Sequence, residues 1–204
     1  MIMAKVLIIN GSYRDAGISR EFVDTIYETL SACHHQVEIV NLKEYTIRYC
    51  LNCRSCTQEE GEAPAKCVID DDMKQIIQKI EESDGYVLLS PTNFGTVTAL
   101  YKAFLERLVP YGYWPWGEVA PKDRKEIKSK KSIVISSCAA PSLIGRFAFS
   151  SLKLLKLTAK TIGAKVVDSL MVGLISHKEN IAIDARDKKR VVAIAKSLDR
   201  ALNI

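Results

Sequence analysis

The chain has 204 residues, 48% of them apolar, 26% charged and 7% aromatic, enough for one globular domain with its own core and no disulfide or metal staples. That composition excludes a collagen, a disordered tail and a disulfide-dense miniprotein, and no apolar run approaches the ~20 residues that span a bilayer. The formal charge of +5 is mild, and with no recognised binding motif or interleaved aromatics it does not point to nucleic acid.

Met1-Ile-Met-Ala-Lys5 runs into an apolar stretch without a basic flank or a small-residue cleavage site, so no signal peptide is visible and a cytoplasmic protein is expected. Lys5–Asn10 is a continuous apolar run suited to a parallel strand buried on both faces. A polar, glycine-containing turn follows, and Phe22, Ile26 and Leu30 then recur at helical spacing. Val37–Asn41 reads as a second strand. The cysteine-rich stretch at about 47–69 has no periodicity. Asp70–Asp72 leads into Met73, Ile76, Ile77 and Ile80, an acidic first turn of the kind the helix dipole favours.

Gly85–Ser90 is a third strand closed by Pro91, Ala99–Leu108 a helix, and Pro110–Gly117 an aromatic loop. Lys122–Lys131, with six cations against two anions, reads as a solvated loop. Ser132–Ser136, a helix over Phe149–Ile162, a strand over Ala164–Leu174 and a last helix over Asp187–Leu202 complete the chain. Five strands separated by helices imply one α/β domain spanning 1–204, built on a doubly wound, mainly parallel sheet.

In such a sheet ligands bind outside the carboxyl ends of the strands, so the residues after each strand are the candidates. After the first come Ser12, Arg14, Gly17, Ile18 and Ser19, rich in hydroxyls and amides at a helix start, which suits a phosphate. The alternative is a capping turn in which Ser12 or Ser19 satisfies the helix end. The loop is neither a Walker A sequence nor a dinucleotide fingerprint. After the third strand come Pro91, Thr92, Asn93, Phe94 and Gly95; after the fourth, Ser137, Cys138 and Ala139. Three polar loops on one edge make a crevice for a planar, phosphate-bearing ligand.

Gly11-Ser-Tyr-Arg-Asp-Ala-Gly17 resembles the FMN-phosphate loop of the flavodoxin-like NAD(P)H-dependent FMN reductase family. Ser90–Arg107 is similar to that family's Ser-Pro-x-Tyr-x-Gly signature with its closing Lys-x-Phe-x-Asp-Arg, and the cysteines resemble the iron–sulfur flavoprotein branch. Two positions depart from the pattern: Asn93 stands where the family has Tyr, and Glu106 where it has Asp.

The resemblance implies a three-layer fold with strand order 2-1-3-4-5 and FMN as cofactor. Ser12, Arg14, Gly17, Ile18 and Ser19 would hold its phosphate. Pro91, Thr92, Asn93, Phe94 and Gly95 would lie along the ribityl chain and ring, and Ser137, Cys138 and Ala139 at the ring's other edge. Lys102 and Arg107 would organise their helix. NAD(P)H is the implied co-substrate, a quinone or redox protein a typical acceptor, and a homodimer or homotetramer the implied assembly. The flavin would carry the chemistry, with no catalytic side chain required. A one-electron carrier and a flavin-free binding protein on the same scaffold are the competing readings; a pI near 8.8 counts against an acidic carrier.

Cys50, Cys53, Cys56 and Cys67 form a Cys-x2-Cys-x2-Cys-x10-Cys motif. Three readings stand: a 4Fe–4S cluster on four thiolates, free or redox-active thiols, and zinc. The ten-residue gap reads as a surface excursion, costing under about 1 kcal/mol in loop closure. Cys33 and Cys138 stand outside the motif. His34 and His35 read as dipole partners at a helix end, and His177, near the end of the fifth strand, has no nucleophile motif beside it. The aromatics Tyr111, Tyr113, Trp114 and Trp116 read as a flavin cap or, preferably, a subunit contact.

Overall fold

The structure, a computed structural model, describes residues 3–175 and 182–204; His177 lies outside them. Five parallel strands form the central sheet: β1 (Lys5–Asn10), β2 (Gln36–Asn41), β3 (Gly85–Asn93), β7 (Lys130–Ser137) and β8 (Ala164–Val172), in the order β2-β1-β3-β7-β8. Numbered among themselves, these five follow the expected order 2-1-3-4-5. Val6, Leu7, Ile8 and Ile9 have no exposed surface, and alternate residues go to opposite faces, as strand geometry requires. Val6 and Ile8 meet α1 (Ile18–Ala32) and α6 (Ala185–Leu202) through Phe22, Ile26, Val191 and Ile194. Leu7 and Ile9 belong to the core built with α2 (Met73–Glu81), α3 (Ala99–Glu106) and α5 (Ser151–Thr161). The result is the expected three layers. No helix among the described residues is long and apolar enough to cross a membrane.

Several boundaries differ from the reading of the sequence. β3 runs past Pro91, because proline's fixed φ suits extended backbone and the chain continues into a hairpin. Thr92 pairs with Val97 and Asn93 with Thr96 of β4 (Thr96–Val97), across a Phe94-Gly95 turn. Both turn residues have positive φ, 50° and 76°, the requirement of a tight two-residue hairpin. A short helix, α4 (Ser142–Ala148), precedes α5; seven residues are too few for periodicity to show.

The basic stretch is not a solvated loop throughout. Lys122–Asp123 (β6) pairs with Gly112–Tyr113 (β5), Lys125 bonds Glu81 at 2.6 Å, and Arg124 is buried. One of the two histidines also differs from expectation. His34 is the exposed, left-handed residue after the helix. His35 is buried, accepting the Ala4 amide at Nδ1 (3.3 Å) and facing Asp199 through Nε2 (3.0 Å). An accepting Nδ1 leaves the neutral ring's proton on Nε2, so His35 ties the first strand's entry to α6 and does not serve a helix dipole.

Candidate flavin site and cysteine segment

The loop after β1 is set by the side chains of Asn10, Ser12 and Asn41. Asn10 donates to Asn41 (3.1 Å) and accepts the Ser12 amide (3.0 Å), and the Ser12 hydroxyl accepts the Arg14 amide (3.2 Å). A Cβ on Gly11 would stand 2.7 Å from the Tyr101 ring, so only glycine lets α3 approach the loop this closely. Gly17 has φ +102° with open space where a Cβ would be, so its backbone conformation, not crowding, calls for glycine. Among the described residues no side chain caps α1; the capping reading of Ser12 and Ser19 is therefore not what the geometry shows. An uncapped helix start behind hydroxyls and an exposed Arg14 fits a phosphate group.

The three candidate loops follow neighbouring strands of the sheet, with Asn10 in register with Leu89 and Pro91 with Ser137. They are also bonded together. Thr98, the N-cap of α3, donates to the Gly11 carbonyl at 2.7 Å, and its amide donates to the Ser90 hydroxyl at 3.2 Å. The Tyr13 hydroxyl, unremarked in the sequence, accepts the Leu100 amide at 2.9 Å. Asn93 and Phe94 are exposed on the hairpin, Phe94 completely so.

Two candidates are turned inward. The Thr92 hydroxyl is shared with Ser136 (3.2 Å) and Ser151 (2.8 Å). Cys138 is 1% exposed, with its thiol bonded to the Ala140 carbonyl at 3.2 Å and its amide to the Val172 carbonyl at 2.9 Å. Burial pushes that thiol's pKa up. A Cβ on Gly145 would lie 2.4 Å from its sulfur. Ser137 is buried and Ala139 exposed, leaving Ala139 as the member of this trio at the surface.

The cysteine segment carries one regular turn, a 3₁₀ turn at Ser55–Thr57, yet it is anchored throughout. At its neck, Asp71 accepts the Arg48 amide (2.8 Å) and the Arg107 guanidinium in a bidentate pair (2.5 and 3.0 Å), while Asp72 accepts the Thr46 amide (2.7 Å). The acidic run thus holds the loop closed as well as leading into α2. Arg124 donates to the carbonyls of Glu59 (2.6 Å), Gly61 (2.9 Å), Pro110 (3.0 Å) and Cys56 (3.4 Å). The acidic gap is consequently tied down at Glu59 and Gly61, and the surface excursion expected there is not free. The Arg54 guanidinium lies 3.8 Å from the Trp114 ring and 4.2 Å from Trp116 and donates to the Trp114 carbonyl at 2.6 Å. The aromatic loop therefore clamps the cysteine segment. Tyr111 is buried, its hydroxyl on Glu81 at 2.9 Å.

The sulfurs receive donors. The Asn52 amide reaches Cys50 (3.4 Å), the Ser55 hydroxyl Cys53 (3.5 Å), and the Ile69 amide Cys67 (3.5 Å). Asn52 and Arg54 take left-handed backbone, φ 50° and 60°, which turns the chain between cysteines. The Ser55 hydrogen bonds hold the exposed Cys53 thiol below its usual pKa. Burial, then the proximity of Cys67, pushes Cys56 up to about 11. Among the described residues no three His, Cys, Asp or Glu side chains converge as one metal ion needs. A cubane takes each thiolate on a separate iron, so its ligands need not converge on one point, and N–H···S donors suit it. Donors on the sulfurs stabilise thiolates, as a cluster or a single tetrahedral ion would both require.

The chain is similar to known proteins. Over 111 residues the chain is 35% identical to an iron–sulfur flavoprotein of Archaeoglobus fulgidus, covering 54% of this chain and 48% of that protein. It is 34% identical over 106 residues to an iron–sulfur flavoprotein of Methanocaldococcus jannaschii, with 52% of each covered. The matched region spans about half the length of these curated relatives. Among solved structures, an NAD(P)H:quinone oxidoreductase from Methanothermobacter marburgensis superposes with a TM-score of 0.68 at 18% identity, covering 100% of this chain and 98% of that one; at that identity the likeness is one of fold. With the family profile matching residues 4–173, the chain belongs to the NADPH-dependent FMN reductase family.

Proposed function

We propose that this chain is an FMN-dependent oxidoreductase that takes reducing equivalents from NAD(P)H. The observation that carries the reading is the loop after β1 in a chain of this family: Gly17 in a left-handed conformation before an uncapped helix, with Ser12 fixed by Asn10. Bound there, the flavin supplies hydride acceptance and onward electron transfer. The protein's own contribution is to bind and orient. The first loop receives the phosphate through Ser12, Arg14, Gly17, Ile18 and Ser19. Asn93, Phe94, Gly95 and Ala139 border the ring. Pro91, Thr92, Ser137 and Cys138 shape the floor beneath it, Thr92 and Cys138 as packed residues.

We further propose that Cys50, Cys53, Cys56 and Cys67 hold a 4Fe–4S cluster, supported by the donors on three of the sulfurs and by relatives named iron–sulfur flavoproteins. A cluster supplies one-electron transfer, so electrons would leave singly toward a redox protein or quinone. The exposed apolar Leu143, Ile144 and Phe147 of α4, close in the chain to Ser150, whose amide donates to the Gly95 carbonyl at the hairpin tip, are consistent with a dimer completing the flavin site. The reading also keeps the protein cytoplasmic.

The test is spectroscopic. Chain incubated with FMN and desalted should retain oxidised-flavin absorbance, which NADPH or NADH should bleach anaerobically within seconds. A colourless desalted protein would remove the flavin reading, and retained flavin that neither nicotinamide bleaches would favour a carrier. Anaerobic reconstitution followed by iron and acid-labile sulfide assays tests the cluster.

A further inference from the structure

Cys67 differs from the other three cysteines in what faces its sulfur. Besides the Ile69 amide, it accepts from Nη2 of Arg107 at 3.7 Å. That guanidinium is 1% exposed and cannot swing away. Asp71 grips it through both terminal nitrogens, and the Arg48 carbonyl accepts from Nη1 at 2.7 Å. Its Nε is buried with no acceptor among the described residues, so the cation is not fully satisfied by its carboxylate. On its open side Cys67 borders a cavity of about 750 Å³ with Val68, Met73 and Ile77 among its walls.

A fixed cation donating to one sulfur withdraws electron density from that sulfur alone. In a low-dielectric setting such a contact is strengthened, and hydrogen bonds to cluster sulfurs are among the factors that set reduction potential. A reduced cluster carries one more negative charge than an oxidised one, so a nearby cation favours the reduced form.

We propose that Arg107 is a positioning residue that raises the reduction potential of the centre held by the four cysteines, by donating from a buried, Asp71-anchored guanidinium to the Cys67 sulfur. The inference rests on the cluster reading given above. It makes the helix arginine of the family signature, which looks purely structural in the sequence, an electronic partner of one cysteine.

The test compares the reconstituted wild-type chain with Arg107→Lys and Arg107→Gln by anaerobic redox titration of the cluster, followed by its electron paramagnetic resonance signal. Arg107→Gln should shift the oxidised–reduced equilibrium about tenfold toward the oxidised form, a fall of ~59 mV for a one-electron couple. Arg107→Lys keeps a cation beside Asp71 but loses the planar fork, and should shift it in the same direction by less than half as much. It is also the variant retained if Arg107→Gln does not fold. Equal potentials in wild type and whichever variants load a cluster would overturn the proposal and leave Arg107 a structural residue. A wild-type chain free of iron and sulfide after reconstitution would instead sink the cluster reading, and the proposal with it, while leaving the flavin untouched.

Discussion

The carboxyl edge of the sheet and the cysteine segment are ordered by opposite means. At the edge the partners lie on neighbouring strands or on the loops and helix starts that follow them: Asn10 with Ser12 and Asn41, Thr98 with Gly11, Ser90 with Thr98. Each bond is ordinary, and the sheet register would hold most of the edge without any one of them. The cysteine segment has almost no regular structure, and three arginines import its order. Arg107 and Arg124 come from elsewhere in the chain; Arg54 reaches out to the aromatic loop. Restraint spread over many neutral bonds tolerates single losses. Restraint concentrated in a few buried cations does not, because each leaves several groups unsatisfied when it goes.

The sharpest way to break that contrast is at the neck. Asp71→Asn leaves the Arg107 charge buried without its counterion and should destabilise the fold by about 3–5 kcal/mol, read from urea unfolding; a loss under about 1 kcal/mol would show the pair to be dispensable. The pH dependence follows. Burial pushes the Asp71 carboxyl up, but the Arg107 hydrogen bonds, the Arg48 and Met73 amides and the Arg107 charge together outweigh it, and its pKa lies below the ordinary value. A depressed carboxylate contributes stability that is present above the unfolded pKa of about 4 and is lost as pH falls through the lower folded value. Wild type should therefore lose stability below about pH 4 more steeply than Asp71→Asn.

Arg124→Gln tests whether the head of the segment is held separately. Losing a guanidinium with four carbonyl acceptors should cost about 2–3 kcal/mol. Amide hydrogen exchange should accelerate between Cys56 and Gly61, with flavin retention unchanged. Loosening that reached the loops after β1 and β3 would mean the two regions are one cooperative unit. The edge has a matching probe in Gly11→Ala, whose Cβ meets the Tyr101 ring. Overpacking there should cost about 1–2 kcal/mol and weaken flavin retention, with no change in exchange at residues 56–61.

The difference between the regions also explains what could be read in the sequence. Val6–Ile9 and the stripe of Phe22, Ile26 and Leu30 announce strand and helix because burial on a periodic element leaves a periodic trace. The strand ends then locate Ser12, Gly17 and the Phe94-Gly95 turn. Arg124 is invisible by the same logic. It is one of six cations in a ten-residue run, and its partners are main-chain carbonyls, which carry no residue identity. Arg54 is hidden likewise between Cys53 and Cys56, its only signal being two tryptophans flanking Pro115. Thr92 and Cys138 lie in two legible segments, but which of their side chains turn inward depends on Ser136, Ser151 and Gly145.

The smallest expected effect sharpens the comparison most, because it holds the helix constant. Lys102 and Arg107 both belong to the end of the family signature, and each has a carboxylate partner: Glu106 one turn on for Lys102, Asp71 for Arg107. Lys102 is 47% exposed and Arg107 1%. Water already solvates the first pair, so Lys102→Ala should cost only about 0.3–0.5 kcal/mol, and that should vanish in high salt. The Asp71–Arg107 contribution should persist in the same salt, since screening reaches buried pairs weakly. Urea unfolding of Lys102→Ala and Asp71→Asn at low and high ionic strength measures both. A salt-insensitive loss above 1 kcal/mol for Lys102→Ala would show that burial is not what separates these two cations.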